Sequence, residues 1–342
     1  MQIQENFSLK PFNSFGIDAK SRWFGTFQSV SELNEALNFK SQVTNLILGG
    51  GSNILFAKDF DGLILKNDIK GIERIKENSQ PGGDEEHVYV RLGAGENWHQ
   101  FVLYCIQNGF AGVENLSLIP GNVGASPMQN IGAYGVEIKE VFHELSAFHL
   151  QERANYTFGV KDCEFGYRDS IFKGKYRNQF VILDVTYRLN TIPKFNTSYG
   201  AIEQELERMG VKELSIAAIS QAVINIRTSK LPDPAVIGNA GSFFKNPSIS
   251  KEKFQDLESK HKNIVGYKNS DGSIKLAAAW MIEQCGWKGY RRGDAGCHEK
   301  QALVLVNYGN AKGGEIFDLS EEIRQSVKEK FEVVLEREVN IV

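Results

Sequence analysis

The chain has 342 residues, enough for two or three domains at about 150 residues each. Lys plus Arg number 39 and Asp plus Glu 42, a net charge of −3, so no surplus of positive charge is available to neutralise phosphates and a dedicated nucleic-acid binder is disfavoured. Hydrophobic residues at 42% and charged residues at 24% exclude wholesale disorder, and 33 glycines point to tight turns or loops that approach a ligand closely.

Ser29 and Glu32 form a capping-box pair that starts a short helix through the thirties. Leu46-Ile47-Leu48 reads as a strand running into Gly49-Gly50-Gly51-Ser52-Asn53, with a second short strand around Leu63-Ile64-Leu65. His87 to Leu92 alternates as a strand does. Trp98, Phe101, Val102, Cys105 and Ile106 make one apolar stripe at helical spacing, closed by Asn108-Gly109. From Val141 to Leu189 the pattern is short alternating runs broken by Gly and polar turns.

Helices are expected at Ser198 to Met209, ended by Gly210, and at Ser215 to Ile226, stopped by Leu231-Pro232-Asp233-Pro234. A glycine-rich loop from Gly238 to Lys245 follows, then a polar helix and a helix from Leu276 to Cys285. The chain ends with a strand from Ala302 to Val306, a long helix from Glu315 to Lys330 and a strand from Val333 to Val342. Strands are grouped rather than alternating strictly with helices, which is an α+β pattern.

Cys105, Cys163, Cys285 and Cys297 include no C-x-x-C pair and read as reduced, mostly buried thiols. Cys297-His298 has no partners at zinc-site spacing, so no metal is expected. No apolar run approaches the roughly 18 residues of a membrane span, and MQIQENFSLKPF has no basic segment leading into a hydrophobic one. A cytoplasmic location is therefore expected.

Neither G-x-G-x-x-G nor G-x-x-x-x-G-K-[ST] occurs. Two other loops stand out: Gly49 to Asn53, and Ile119 to Ser126 continuing through Gln129 to Gly135. Successive glycines let backbone amides approach an anion, and a pair of such loops can cradle a pyrophosphate.

The loop order resembles the FAD-binding fold of p-cresol methylhydroxylase and vanillyl-alcohol oxidase. LGGGSN (48–53), IPGNVGASPMQNIGAYGVE (119–137), GYRDSIFK (166–173), RTSKLPDP (227–234), GNAGSFFKNP (238–247), KLAAAWMIEQCGWKG (275–289), QALVLVN (301–307) and LEREV (335–339) together resemble the UDP-N-acetylenolpyruvoylglucosamine reductases. The resemblance extends over nearly the whole chain. It implies a two-lobed FAD-binding module, residues 1–70 joined by the terminal strand 333–342 and residues 71–213, with a C-terminal α+β substrate domain over 214–332.

The resemblance further implies NADPH-dependent reduction, through bound FAD, of the enolpyruvyl double bond of UDP-N-acetylglucosamine enolpyruvate to UDP-N-acetylmuramate. Residues 46 to 60 contain neither His nor Cys, so non-covalent FAD is expected. Cofactor contacts carried over are Gly49, Gly50, Gly51, Ser52, Asn53, Ile119, Gly121, Gly124, Ser126 and Gly132. Hydride arriving at the terminal carbon leaves negative charge on the next carbon and its carboxylate, which calls for a cation and a proton donor. Arg168 matches the first role and Ser242 the second, with Glu338 assisting. The family usually has proline where this chain has Arg337.

Sugar-nucleotide contacts implied in the same way are Tyr134, Tyr199, Arg227, Lys230 and Asn246. Tyr267, Lys275, Lys288 and Gln301 complete them. Tyr199, in Thr197-Ser198-Tyr199-Gly200, marks the longer type of reductase, whose capping loop is a candidate lid. The expected partners are the UDP-sugar and NADPH, with no nucleic acid, no membrane and a monomeric chain. Two other readings stay open: a sugar or alcohol oxidase of the same fold, and a non-catalytic nucleotide-sugar binder.

Overall fold

A computed structural model describes residues 1–39, 43–75 and 86–342. The chain divides into two compact units. The first comprises Met1–Asn6, Trp23–Gly50 and Asp61–Ser229; the second comprises Phe7–Arg22, Gly51–Phe60 and Lys230–Val342.

The strand Asn45–Leu48 runs parallel to Phe60–Asn67, and the sheet continues through Lys20–Phe27 to Gln4–Ser8. The helix Val30–Leu37 buries Leu33, Ala36 and Leu37 against Trp23, Phe27, Leu63 and Leu65. Its start follows the expected chemistry: Ser29 Oγ accepts from Glu32 N at 3.2 Å. The Glu32 carboxylate reaches one residue further back than a capping box requires, accepting from Gln28 N at 2.7 Å.

A five-stranded antiparallel sheet forms the main layer of the first unit, in the order Ala154–Gly159, Phe142–His149, Phe180–Asn190, His87–Gly93, Ile72–Ile75. The helix Trp98–Gln107 packs its stripe of Trp98, Phe101, Val102 and Cys105 into the core beside this sheet. Tyr187 stacks on Phe101 with ring centroids 4.9 Å apart. Trp98 Nε1 donates to Leu116 O at 2.9 Å, which ties the short 3-10 turn Glu114–Leu116 to that helix. The expected helices after residue 198 run Gly200–Arg208 and Ile216–Lys230, and they share one apolar cluster of Ile202, Leu206, Ile219, Ala222, Val223 and Ile226.

In the second unit, a four-stranded sheet runs in the order Gly238–Ser242, Val304–Asn307, Ala295–Cys297, Arg291–Arg292. The 238–245 segment, expected as a loop, is thus a strand for its first five residues. It pairs antiparallel with Val304–Asn307, and its glycines hide the alternation that would have marked it. A three-stranded sheet orders Ser248–Ile249, Ile274–Leu276 and Gly266–Lys268. The helix expected from Leu276 begins at Ala278, because Leu276 belongs to that sheet. The long helix spans Gly313–Phe331 and buries Ile316, Leu319, Ile323 and Val327.

The terminal strand is shorter than expected. Only Asn340–Ile341 forms a regular ladder, parallel to Ile54–Leu55, while residues 333–339 touch a strand through one isolated bridge, Phe244 to Arg337. All four cysteines are unpaired thiols, and Cys105, Cys163 and Cys297 are buried. Among the described residues no helix is long and apolar enough to cross a membrane, and no group of three His, Cys, Asp or Glu side chains could hold a metal ion.

Candidate active site

Within the first unit the two glycine loops meet. A Cβ on Gly50 would lie 2.8 Å from both Gly121 Cα and Asn122 Oδ1, so only glycine permits this approach of one loop to the other. Gly49, one residue earlier, faces open space: among the described residues, its chain neighbours aside, no atom lies within 4 Å of where its Cβ would stand. Gly124 packs equally tightly on Ala94, 2.6 Å from its Cβ. Bare backbone from two abutting loops beside open space is the surface a pyrophosphate needs, so these residues fit FAD.

Not every carried-over contact offers a group to a cofactor. The Ser126 hydroxyl is buried and bonds Tyr187 Oη at 2.6 Å. Ile119 packs against the core around Trp98.

A cationic cluster lies in the same unit. Arg168 occupies a tight turn in which Gly166 and Asp169 bridge each other, and its φ of 54° is left-handed. That conformation costs a non-glycine residue about 1 kcal/mol. Its Nη2 donates to Gly132 O at 2.5 Å, which fixes the side chain against the second glycine loop. Burial holds the Arg227 guanidinium below its usual value; the Tyr134 phenol opposes this shift and the charge of Arg168 adds to it. Arg227 Nε is buried without a hydrogen-bond partner. Two guanidiniums that repel each other, one with an unsatisfied donor, make a site that favours an anion.

Tyr134, whose phenol burial pushes upward, meets Tyr199 edge to face with ring centroids 5.3 Å apart. Tyr199 itself is half exposed. The structure also adds residues the sequence did not suggest. His99 Nδ1 accepts from Leu118 N at 3.0 Å, and burial, reinforced by the charge of Arg227, pulls its imidazole below the ordinary value. Asn115 is buried, and its setting in Val113-Glu114-Asn115-Leu116 carries no signal that would have marked it.

In the second unit, Ser242 is placed by a β-bulge. Asn239 pairs with Val306 and Ser242 with Val304, so an extra residue sits on the bulged strand. Gly241 absorbs it with φ of 69°, a conformation that suits glycine, and Asn239 Oδ1 accepts from Gly241 N at 2.9 Å. Bulges re-aim the side chain that follows them. Glu338 N donates to Phe243 O at 2.9 Å, so the backbone of Glu338 lies against the residue next to Ser242. Asn53 Nδ2 donates to Glu338 O at 3.3 Å.

Arg337 is clamped. Its Nε donates to Ser320 Oγ at 3.0 Å, its Nη2 pairs with Glu321, and its guanidinium lies 4.7 Å from the Phe317 ring centroid. The bridge bonds Lys245 N to Glu336 O and Glu338 N to Phe243 O do not use the Arg337 N–H. A residue without that donor is therefore compatible with this ladder, in keeping with proline at the position in the family.

The small sheet sets Tyr267 directly opposite Lys275. Asn246 Oδ1 accepts from Ala278 N at 2.9 Å and so caps the 278–284 helix. Gln301 lies in the turn leading to Val304, the partner of Ser242. Lys230 is exposed at a helix end, and Lys288, also exposed, pairs with Glu283 at 2.8 Å.

Residues 25–148 match the family model described as FAD binding domain, and residues 233–342 match that of the UDP-N-acetylenolpyruvoylglucosamine reductase C-terminal domain. The chain is similar to the UDP-N-acetylenolpyruvoylglucosamine reductase of Amoebophilus asiaticus, 52% identical with 100% of each chain covered. That of Flavobacterium johnsoniae is 49% identical, again with 100% of each covered. In fold, it is similar to the crystal structure of the reductase from Thermus caldophilus, with a TM-score of 0.66 at 21% identity, covering 100% of this chain and 99% of that one. The protein is an FAD-containing oxidoreductase with an α+β fold of the p-cresol methylhydroxylase and vanillyl-alcohol oxidase type. The chain belongs to the UDP-N-acetylenolpyruvoylglucosamine reductase family.

Proposed function

We propose that this chain reduces the enolpyruvyl double bond of UDP-N-acetylglucosamine enolpyruvate to UDP-N-acetylmuramate at the expense of NADPH. The observation that carries the reading is the Arg168–Arg227 cluster beside Tyr134, with its unsatisfied buried Nε. It suits a substrate that brings a carboxylate and a diphosphate. FAD, when bound, supplies the hydride relay between NADPH and the enolpyruvyl carbon.

The residues of this chain do the rest. The glycine backbone of residues 49–53 and 121–132 holds the cofactor. Arg168 pairs with the substrate carboxylate, where charge grows as the double bond is reduced. The Ser242 hydroxyl gives its proton to the adjacent carbon, and Glu338 assists in its protonated form, as a hydrogen-bond donor towards that developing negative charge. Tyr134, Tyr199, Arg227, Lys230, Asn246, Tyr267, Lys275, Lys288 and Gln301 bind the sugar nucleotide. In this reading residues 1–70 with 333–342, and 71–213, serve the cofactor, and 214–332 the substrate. The enzyme works as a cytoplasmic monomer, and its product feeds cell-wall synthesis and thereby cell shape, the cell cycle and division.

The test is steady-state turnover. NADPH oxidation should require the enolpyruvyl sugar nucleotide and yield a product richer by two hydrogens. Oxidation of NADPH at the same rate without that substrate contradicts the reading.

A further inference from the structure

Within the second unit, residues 12–15 run between the end of the first glycine loop and the strand that carries Ser242. On the loop side, Ser14 N donates to Gly51 O at 3.0 Å, and a Cβ on Gly51 would lie 2.0 Å from Phe12 O. On the strand side, Asn239 N donates to Ser14 O at 3.0 Å and Ser14 Oγ donates to Asn239 O at 2.6 Å. A Cβ on Gly238 would lie 2.1 Å from Phe15 O, so bare backbone is needed on both sides of the segment. Asn239 is only 2% exposed, and its Oδ1 holds the amide of Gly241, the bulge residue before Ser242. Ser14 thus uses its N–H, its carbonyl and its hydroxyl on the glycine loop and the serine strand. A single backbone bond to Asn239 would leave the strand free to pivot; the hydroxyl closes a second bond to the same residue and fixes the orientation.

We propose that Ser14 is a positioning residue that sets the strand carrying Ser242 in register with the flavin loop, so that the proton donor keeps a fixed place relative to the cofactor. Its hydroxyl acts through Asn239 and the bulge, not on the reacting atoms. Proton transfer to carbon is steep in distance and angle, and a displacement of about 1 Å can cost up to about 10²-fold in rate. The proposal rests on the reading of Ser242 as proton donor and of residues 49–53 as a flavin loop.

The experiment compares four holoenzyme variants with wild type: Ser14→Ala, Ser14→Thr, Ser242→Ala and the double variant Ser14→Ala/Ser242→Ala. Ser14 is partly buried and Ser14→Ala removes one hydroxyl, a mild change for the fold. In Ser14→Ala, amide hydrogen exchange over residues 238–242 should rise about threefold. Anaerobic flavin reoxidation by the enolpyruvyl sugar nucleotide should slow about tenfold, while flavin reduction by NADPH keeps its wild-type rate. Ser14→Thr, which keeps the hydroxyl, should reoxidise within about twofold of wild type. In the Ser242→Ala background, Ser14→Ala should slow reoxidation no further, because the group it positions is gone. Unchanged exchange or unchanged reoxidation in Ser14→Ala overturns the proposal, as does a Ser14→Thr enzyme as slow as Ser14→Ala. A further tenfold loss in the double variant overturns it too, since Ser14 would then act independently of Ser242. An equal loss in the NADPH half-reaction would mark general damage and overturn the positioning role. Wild-type reoxidation in Ser242→Ala alone is a different failure: it sinks the proton-donor reading, and this role for Ser14 falls with it.

Discussion

A serine hydroxyl is a weak acid, so the proposed role of Ser242 as proton donor depends on the position it takes after the bulge at Gly241. Ser242→Ala should leave flavin reduction by NADPH intact and slow reoxidation by the enolpyruvyl substrate by at least about 10²-fold. Stopped-flow absorbance separates the two steps, and a wild-type second step would remove Ser242 from the chemistry. Arg337 neighbours the proposed catalytic Glu338 in sequence. Its guanidinium holds the Glu321 carboxyl below the usual carboxylate range and ties residues 335–339 to the long helix. Arg337→Ala should lower stability by about 1 kcal/mol, since the pair is only partly buried, and slow the second half-reaction through Glu338. Arg337→Pro should retain more of that second step than Arg337→Ala, because the bridge does not use the 337 N–H. A chemical melt and the same stopped-flow trace check both variants. The resemblance marked Arg337 as a departure from the family's proline; that a helix would supply Ser320, Glu321 and Phe317 to hold the replacement was not legible, since those residues lie 16 to 20 positions away.

At the scale of elements, neighbouring glycines play different parts. Gly50 is required by protein contacts, because a side chain there would strike Gly121 and Asn122. A side chain on Gly49 would meet no other described residue beyond its chain neighbours. Gly49→Ala should therefore melt within about 1 °C of wild type, as a surface substitution away from packing does, yet lose flavin affinity about tenfold. Gly50→Ala should lose both fold stability and flavin. Flavin titration with a thermal melt distinguishes them, and full flavin affinity in Gly49→Ala would mean that no ligand approaches that backbone. The longer elements were legible because periodicity survives in them: the Trp98 stripe and the 180–190 strand have enough side chains to show a repeat. The pieces that hold the site were not. The strand Gly238–Ser242 has two residues between its glycines and one after them, and the strands Ser248–Ile249 and Ile274–Leu276 are two and three residues long, too short for any period. The Ser14–Asn239 link is invisible to periodicity altogether, since it joins residues 225 positions apart.

For the molecule as a whole, protonation reports on how the chain is packed. Burial pushes the Cys163 and Cys297 thiols up to about 12, and Cys105 also upward. At pH 8 those three should stay unreactive towards a disulfide reagent, with half-buried Cys285 reacting first. All four should react rapidly once denaturant unfolds the chain, and fast reaction of all four in the native protein would contradict this packing. His99 gives a second readout. Its folded value lies below the ordinary 6.5, so the unfolded chain binds the proton more readily and acid favours unfolding. Its contribution is complete above 6.5 and is lost as pH falls through the lowered folded value. Denaturant melts from pH 7.5 to 5 should show stability declining with acidity, and less steeply in His99→Gln.

The central claim is that one chain both accepts reducing equivalents from NADPH through FAD and delivers them to an enolpyruvyl sugar nucleotide. The most direct measurement follows the visible flavin band of the holoenzyme in the absence of oxygen. NADPH should bleach it, and UDP-N-acetylglucosamine enolpyruvate should then restore it while the sample remains anaerobic. A band that bleaches but returns only when air is admitted would contradict the account and point to an oxidase of the same fold.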